Sequence, residues 1–442
     1  MKTIKKIICT FLMLAVFVGG GVLAGCAKTE SADVLTVGVA NNSNEVAILN
    51  TYRTAYKKAN PGKDIKLIRI TGNFDQQVNT LMGAKNLPDV LQVYDFSAEY
   101  WTSKNAYVPI SEYMKKDGIK EDDYFDSVID IAKSGKDGDE NMYWAPRDYN
   151  KIVVCYNKAI FDAAGVAYPQ DNWTWTQFLD TCKALKAKTS NITAVTGQQI
   201  FYPVDMTPNW EAVYYPAIRS FGGDLFDREN ATAIKDEVKV RQALDELLKP
   251  VTEGVAFSPA EGGAAPFSSK QCAMVFMTRP SVSSYVNALK DASGKATIDF
   301  ASLPAFEDVE KSYIGMGCTG YAITNQCSEN KRDFAWDFLK FVMTEAGQNA
   351  ICAAGNGVPT LKAMAEDKNA AFRQYLPEAN HDAFIKFTER DLEMNYLSGL
   401  PTNKHLAVRS ELLKELTKNY YSAQDKSGYL QELKTKLENA MR

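Results

Sequence analysis

A chain of 442 residues, 45% of them hydrophobic, can bury a large core, and at roughly 150 residues per domain its length predicts two or three domains. Its 50 Lys and Arg against 54 Asp and Glu leave no electrostatic excess for a polyanion, which argues against a nucleic-acid partner. Two histidines, His381 and His405, leave little room for a histidine triad or a multi-histidine metal site.

The chain opens with Lys2, Lys5 and Lys6, an apolar run from Ile7 to Val18, three glycines, and then Leu23-Ala24-Gly25-Cys26. A basic start, a short apolar stretch and small residues before a cysteine read as an export signal, and the tetrad resembles the bacterial lipobox, which implies cleavage before Cys26 and lipidation of its thiol. Removing residues 1–25 leaves 417 residues in which 47 Lys and Arg face 54 Asp and Glu, a charge of −7. No later stretch is apolar enough to span a bilayer, so attachment to the membrane falls to the lipid at Cys26, with residues 26–33 as a tether.

Val34 to Val39 is a β-branched run, followed by Val46, Leu49, Tyr52 and Tyr56 at helical spacing until Asn60-Pro61-Gly62 stops them. Ile65 to Ile70 reads as a second strand, Phe74, Val78, Leu81 and Met82 as one helical face, and Asp89 to Val93 as a third strand. This β-α-β-α-β order predicts a parallel sheet whose ligand loops gather at the carboxyl ends of its strands, here 40–45, 71–74 and 94–97. Residues 136–139 read as a turn, in which Asp137 and Asp139 only faintly suggest a calcium loop, and 151–156 as a strand. Thr174 as N-cap with Gln177 at N3 completes a capping box, and Trp173 with Phe178 forms a hydrophobic staple, so Trp173 is structural. Residues 240–249 and 334–342 are helical in pattern, the latter with Phe334, Phe338, Phe341 and Val342 in one core stripe. Residues 261–266 read as a loop, and 383–395, 407–420 and 428–441 as helices.

Besides Cys9 and Cys26 the chain has six cysteines, Cys155, Cys182, Cys272, Cys318, Cys327 and Cys352, none in a C-x-x-C pair and most within apolar stretches, which favours buried thiols. Neither a nucleophile elbow, a zincin helix nor a Walker A loop occurs. Gly315-Met316-Gly317-Cys318-Thr319-Gly320 matches G-x-G-x-x-G, but the following Tyr321 to Thr324 continues as a strand rather than opening a helix, so the match is accidental.

Tyr143-Trp144-Ala145-Pro146, Tyr156-Asn157-Lys158, Ile160-Phe161, Ala164-Gly165, Pro169 and Thr174 to Phe178 together resemble the signature of bacterial family 1 extracellular solute-binding proteins, the sugar-binding components of ABC importers. Phe221 to Phe226, Phe267 to Met274, Leu303-Pro304 and Ala335 to Phe341 continue the resemblance in order and spacing over nearly the whole mature chain. It implies an α/β, two-lobed, type II periplasmic-binding-protein-like fold with hinge strands and a central cleft. The lobes are expected at 34–148 plus 322–362 and at 149–321 plus 363–442, with crossings near 147–153, 317–323 and 359–363. It further implies an extracytoplasmic, lipid-anchored monomer that binds a carbohydrate by hinge closure and serves ABC permease subunits, with no cofactor and no metal.

Neutral sugars need aromatic faces for their CH surfaces and polar side chains for their hydroxyls. The predicted cleft loops supply Asn41, Asn44 and Glu45, then Asp95; the hinge supplies Arg147 and Asp148. Trp210, Glu211 and Tyr214 stand before the helix that ends at Gly222, and Thr319 lies on the returning strand. Where the family often carries Gly-x-Trp, with the Trp stacking on sugar, this chain has Thr278-Arg279-Pro280. Trp210 or Tyr214 then becomes the candidate platform, and Arg279 a candidate partner for an acidic sugar or a solvated arginine. Three alternatives stay open: a secreted glycan-active enzyme with two carboxylates about 5–10 Å apart across the cleft, a ligand-sensing partner of a membrane receptor, and a binding protein for a non-sugar solute such as a polyamine.

Overall fold

The computed structural model describes residues 32–133, 138–261, 267–394, 396–398, 400, 402–412 and 416–442. The leader and Cys26 lie outside the described residues, as do Asp137 of the Asp-x-Asp pair, Asn395 and residues 262–266 of the glycine-rich loop.

Strands Val34–Ala40, Asp64–Ile70 and Val90–Tyr94 alternate with helices Ser43–Ala59 and Phe74–Gly83. The strands pair in parallel, Val37 lying opposite Leu67 on one side and Val90 on the other. Two antiparallel strands, Thr319–Ile323 beside Val90–Tyr94 and then Ala145–Pro146, complete a five-stranded sheet. Leu35, Val37 and Val39 are fully buried, the unbroken apolar pattern of a strand covered on both faces. One cover is the phenylalanine stripe of helix Glu329–Met343: Phe334, Phe338 and Phe341 meet Tyr52 and Tyr56 at centroid distances of 5.3–6.4 Å, mostly edge to face. Each such pair adds about 0.5–1.5 kcal/mol beyond the area it buries.

A second sheet runs Ile298–Ser302, Val153–Asn157, Cys272–Met277, Tyr202–Asp205. Helix Trp175–Ala187 packs on it, started by the capping box that the sequence carries: the Thr174 hydroxyl accepts from the Gln177 N–H, and the Gln177 side chain accepts from the Thr174 N–H at 2.9 Å. Trp173 meets Phe178 edge-on at 5.6 Å and donates from Nε1 to the Ser302 carbonyl at 2.7 Å, so it is a structural residue.

The two sheets are joined through a small third one. After Ala145–Pro146 the chain passes through Asn150–Lys151, breaks at Ile152, and enters the second sheet at Val153; the stretch read as one strand over 151–156 is therefore two. It returns through Ile314–Gly317, which pairs with Asn150–Lys151, and continues directly into Thr319–Ile323 of the first sheet. The G-x-G-x-x-G glycines serve this crossing. A Cβ on Gly315 would lie 2.2 Å from the Ala212 carbonyl oxygen, and one on Gly320 would lie 2.2 Å from that of Ala145. Farther on, the Tyr149 N–H donates to the Val358 carbonyl, whereas the Asn380 N–H donates to Asp299 of the second sheet.

Residues 383–394, of the stretch expected to be a helix to 395, are not one helix. They form two short 3-10 turns, His381–Phe384 and Thr388–Arg390, and then strand Asp391–Glu393, parallel to Ile314–Gly317. Phe387 sits at φ +58°, a left-handed conformation that ends a helical run. The Asp391 carboxylate then meets buried Lys151 at 2.7 Å, which holds the segment as a strand. Within the stretch 407–420 the described residues belong to helices His405–Leu412 and Leu416–Ser422, and the last helix spans Lys426–Met441. All six cysteines of the described chain are free and buried.

Candidate functional site

Between the two lobes lies a cavity of about 350 Å³. The first lobe contributes Asn44 and Glu45 from the opening turn of helix Ser43–Ala59, and Tyr94, Asp95 and Phe96 from the end of the third parallel strand. The second lobe contributes Trp210, Glu211 and Ala212 at a helix start, and Thr278, Pro280 and Ser281 after Cys272–Met277. Arg147, Asn150, Ile152, Gly317, Cys318 and Thr319 come from the crossing segments, and Met394 directly follows strand Asp391–Glu393 of the small sheet. The site thus sits at the carboxyl ends of parallel strands, where α/β sheets place ligands.

Glu45 is placed by a cap: the Asn42 side chain accepts from the Glu45 N–H at 2.9 Å, and the carboxylate sits in the first helical turn, where the helix dipole favours it. It holds the guanidinium of Arg147, Nη1 donating at 2.6 Å, while Nε and Nη2 donate to Asp148 at 2.9 and 2.7 Å. Arg147 is 1% exposed and Asp148 fully buried. The other Asp148 oxygen accepts from the Thr319 N–H at 3.0 Å, and the Arg147 N–H donates to the Thr319 carbonyl at 2.8 Å. The ion network therefore fastens both crossing strands to the first lobe. Its neighbouring carboxylates hold the arginine well above its ordinary pKa against the opposing effect of burial.

Asp95 accepts from the Phe96 N–H at 2.7 Å and, through its other oxygen, from the Cys318 N–H at 2.8 Å. Burial pushes its carboxyl up to about 7; the two backbone bonds oppose the shift, and the charges of Asp148 and Glu211 add to it. A Cβ on Gly317 would lie 2.8 Å from the same carboxylate, so glycine is what lets the returning strand pass this close.

Two aromatic surfaces face the cavity. Tyr94 and Phe96 stack at 5.1 Å in the first lobe, and Trp210 stands at the N-cap of helix Glu211–Ser220 in the second. Trp210, Thr278 and Ser281 also border an adjoining cavity of about 430 Å³, which includes Asp205, Phe267 and Tyr285. Beside these walls, Arg409 of helix His405–Leu412 lies 3.6 Å over the Phe96 ring, donates to Glu211 at 3.2 Å and approaches Asp75 to 3.9 Å.

Of the residues expected from sequence, the cavity gathers Asn44, Glu45, Asp95, Arg147, Trp210, Glu211 and Thr319. Asp148 lies behind Arg147. Asn41 is exposed and bonds Thr71 and Arg69 instead. Tyr214, expected before the helix, lies one turn inside it, on the face buried in the second-lobe core at 1% exposure, and is no sugar platform in this geometry. Arg279 is fully buried and turned away from the cleft, bonded to the Gly355 and Phe372 carbonyls and to His381 Nδ1 at 2.9 Å. Its neighbours Thr278 and Pro280 take the cavity side. The reading of the sequence missed Tyr94 and Phe96, which flank Asp95 at the same strand end, and Asn150, just beyond the hinge arginine. Met394 carries no signal of its own, because the pattern of 383–395 reads as a helix.

The fold and the interlobe cavity define a two-lobed solute-binding protein of the type II periplasmic class. A sequence profile for bacterial extracellular solute-binding proteins matches residues 41–349, and the chain belongs to that family of binding proteins. It is 24% identical over 295 residues to the arabinooligosaccharide-binding protein of Halalkalibacterium halodurans, an overlap of 64% of this chain and 61% of that one. It is 25% identical over 183 residues to the sn-glycerol-3-phosphate-binding periplasmic protein UgpB of Escherichia coli K12, 40% and 41% of the two chains. The chain thus spans less than two thirds of the length of these relatives. Its fold matches that of an ABC substrate-binding protein from Listeria monocytogenes in complex with cycloalternan, with a TM-score of 0.69 at 19% identity over 92% of this chain and 97% of that one.

Proposed function

We propose that this chain is the extracytoplasmic substrate-binding lipoprotein of an ABC transporter, a monomer anchored through Cys26. It binds a mono- or oligosaccharide between lobes formed by 34–148 plus 322–362 and by 149–321 plus 363–442, closes on it, and delivers it to the permease subunits. The observation that carries this reading is the cavity itself, which sets Tyr94 and Phe96 of one lobe and Trp210 of the other around Asn44, Asp95, Asn150, Thr278, Ser281 and Thr319. Aromatic rings cover the apolar faces of a pyranose or furanose, and the polar groups match its hydroxyls. Contacts from both lobes favour the closed state, and that difference in affinity is what a permease reads as occupancy. The chain needs no covalent chemistry for this task.

The experiment is titration calorimetry of the mature chain with arabino- and malto-oligosaccharides, alongside a product assay. Saturable heat without bond cleavage is expected. Asp95 and Glu211 approach the cavity from different lobes, so cleavage abolished by substituting either would replace this reading with that of a glycan-active enzyme.

A further inference from the structure

The relatives named above bind ligands of opposite electrostatic character, a neutral oligosaccharide in one case and a phosphate ester in the other. We propose that this cavity accepts only ligands that bring hydrogen-bond donors and no negative charge, and that Glu211 is a specificity-determining residue because it neutralises Arg409, the arginine packed against the Phe96 wall of the cavity. The inference rests on ligand binding in the interlobe cavity.

Among the described residues the cavity wall carries three carboxylates, Glu45, Asp95 and Glu211, and one cation, Arg147. Arg147 has nothing to offer an anion. Three of its nitrogens already donate to Glu45 and Asp148, it is 1% exposed, and turning it outward would strand two carboxylates in the interior. Arg409, packed on the cavity residue Phe96, is engaged on three sides, by Glu211 at 3.2 Å, by Asp75 at 3.9 Å and by the face of Phe96 at 3.6 Å. Four carboxylates, Glu45, Asp148, Glu211 and Asp75, therefore surround two guanidiniums, and each guanidinium is matched inside the protein.

Two acceptors in the cavity wall are left to the ligand. The Asn150 side-chain oxygen has no hydrogen-bond partner within the protein, and Asp95 keeps lone pairs beyond the two backbone bonds it accepts. A sugar hydroxyl can donate to these positions and accept from Thr278, Ser281 or Thr319. A phosphate ester carries about −1.5 to −2 charge and only acceptor oxygens, so it meets like charge and acceptors in a closed, poorly screened site. Ammonium groups satisfy the same requirement that hydroxyls do.

Calorimetry of the full mature chain with arabinotriose, maltotriose, sn-glycerol 3-phosphate, trigalacturonate and spermidine tests this. The phosphate and the uronate should bind at least 100-fold more weakly than any neutral or cationic probe that binds. In Glu211→Gln, which keeps the size of the side chain and an oxygen for Arg409 but removes its charge, affinity for glycerol 3-phosphate should rise at least tenfold while affinity for a neutral probe changes less. A purely structural role for Glu211 would weaken all probes together. Saturable binding of glycerol 3-phosphate or trigalacturonate to the wild type within tenfold of the best neutral probe, or with no neutral or cationic probe binding at all, overturns the inference, as does an unchanged anion preference in a folded Glu211→Gln. If spermidine alone binds, the carbohydrate reading falls and this one stands. If no probe binds the wild type, appearance of glycerol 3-phosphate binding in Glu211→Gln supports the inference and its absence rejects it.

Discussion

Asp95 shows how one buried carboxylate ties the site to pH. Its folded-state pKa of about 7 lies above the ordinary value of 3.8, so the folded state favours the protonated form, and the stability this adds is lost as pH rises from about 4 through 7. Asp95→Asn removes that slope; urea unfolding should show the variant gaining about 2–3 kcal/mol more over wild type at pH 8 than at pH 5. His381 works in the opposite sense. Burial, with the charge of Arg279 beside it, lowers its pKa from 6.5 to about 4, so its contribution is complete above pH 6.5 and is lost as pH falls toward 4, at most about 3 kcal/mol. The acid limb of a stability profile should therefore flatten in His381→Gln. At this scale the sequence was a partial guide. Glu45, Asp95 and Arg147 were legible because strand ends and a hinge proline announce loops, whereas the depth of Tyr214 and Arg279 depends on helix phase and on chain that packs from nearly a hundred residues away in sequence.

Among the elements, the small hinge sheet is the most exposed to electrostatic error. Lys151 and Asp391 form an ion pair at 1% and 4% side-chain exposure, and the Tyr149 and Ser127 hydroxyls also donate to Asp391. Burial lowers the Lys151 pKa and raises that of Asp391. Lys151→Met alone leaves a carboxylate uncompensated and should cost about 3–5 kcal/mol, while Lys151→Met with Asp391→Leu should recover most of that loss in a double-mutant cycle of unfolding free energies. Local signals revealed the elements whose reasons are local: the Thr174 capping box, the phenylalanine stripe, the alternating start of the chain. The strand at Asp391 was illegible because a lysine far earlier in sequence decides it, and the turns before it hang on Phe387 adopting a conformation its own side chain disfavours.

For the whole molecule, order and spacing of weak motifs pointed to two lobes and a cleft before any contact was known, since the family pattern spans nearly the full mature chain. They did not show that helix His405–Leu412 reaches across, its Arg409 touching Asp75 and Phe96 of one lobe and Glu211 of the other. Arg409→Met should loosen that tie, and small-angle scattering of the unliganded protein should report a larger radius of gyration than wild type, with the difference shrinking once ligand is added. The first sheet also carries a consequence in time. Its fourth strand, Thr319–Ile323, is encoded after the entire second sheet, yet it alone covers the open side of Val90–Tyr94 and joins it to Ala145–Pro146. A chain emerging from its N-terminus therefore holds an unfinished sheet, with a row of unpaired backbone groups on that edge, until nearly three quarters of its length is available. Closing so long a loop is slow and leaves the edge open to wrong pairings meanwhile.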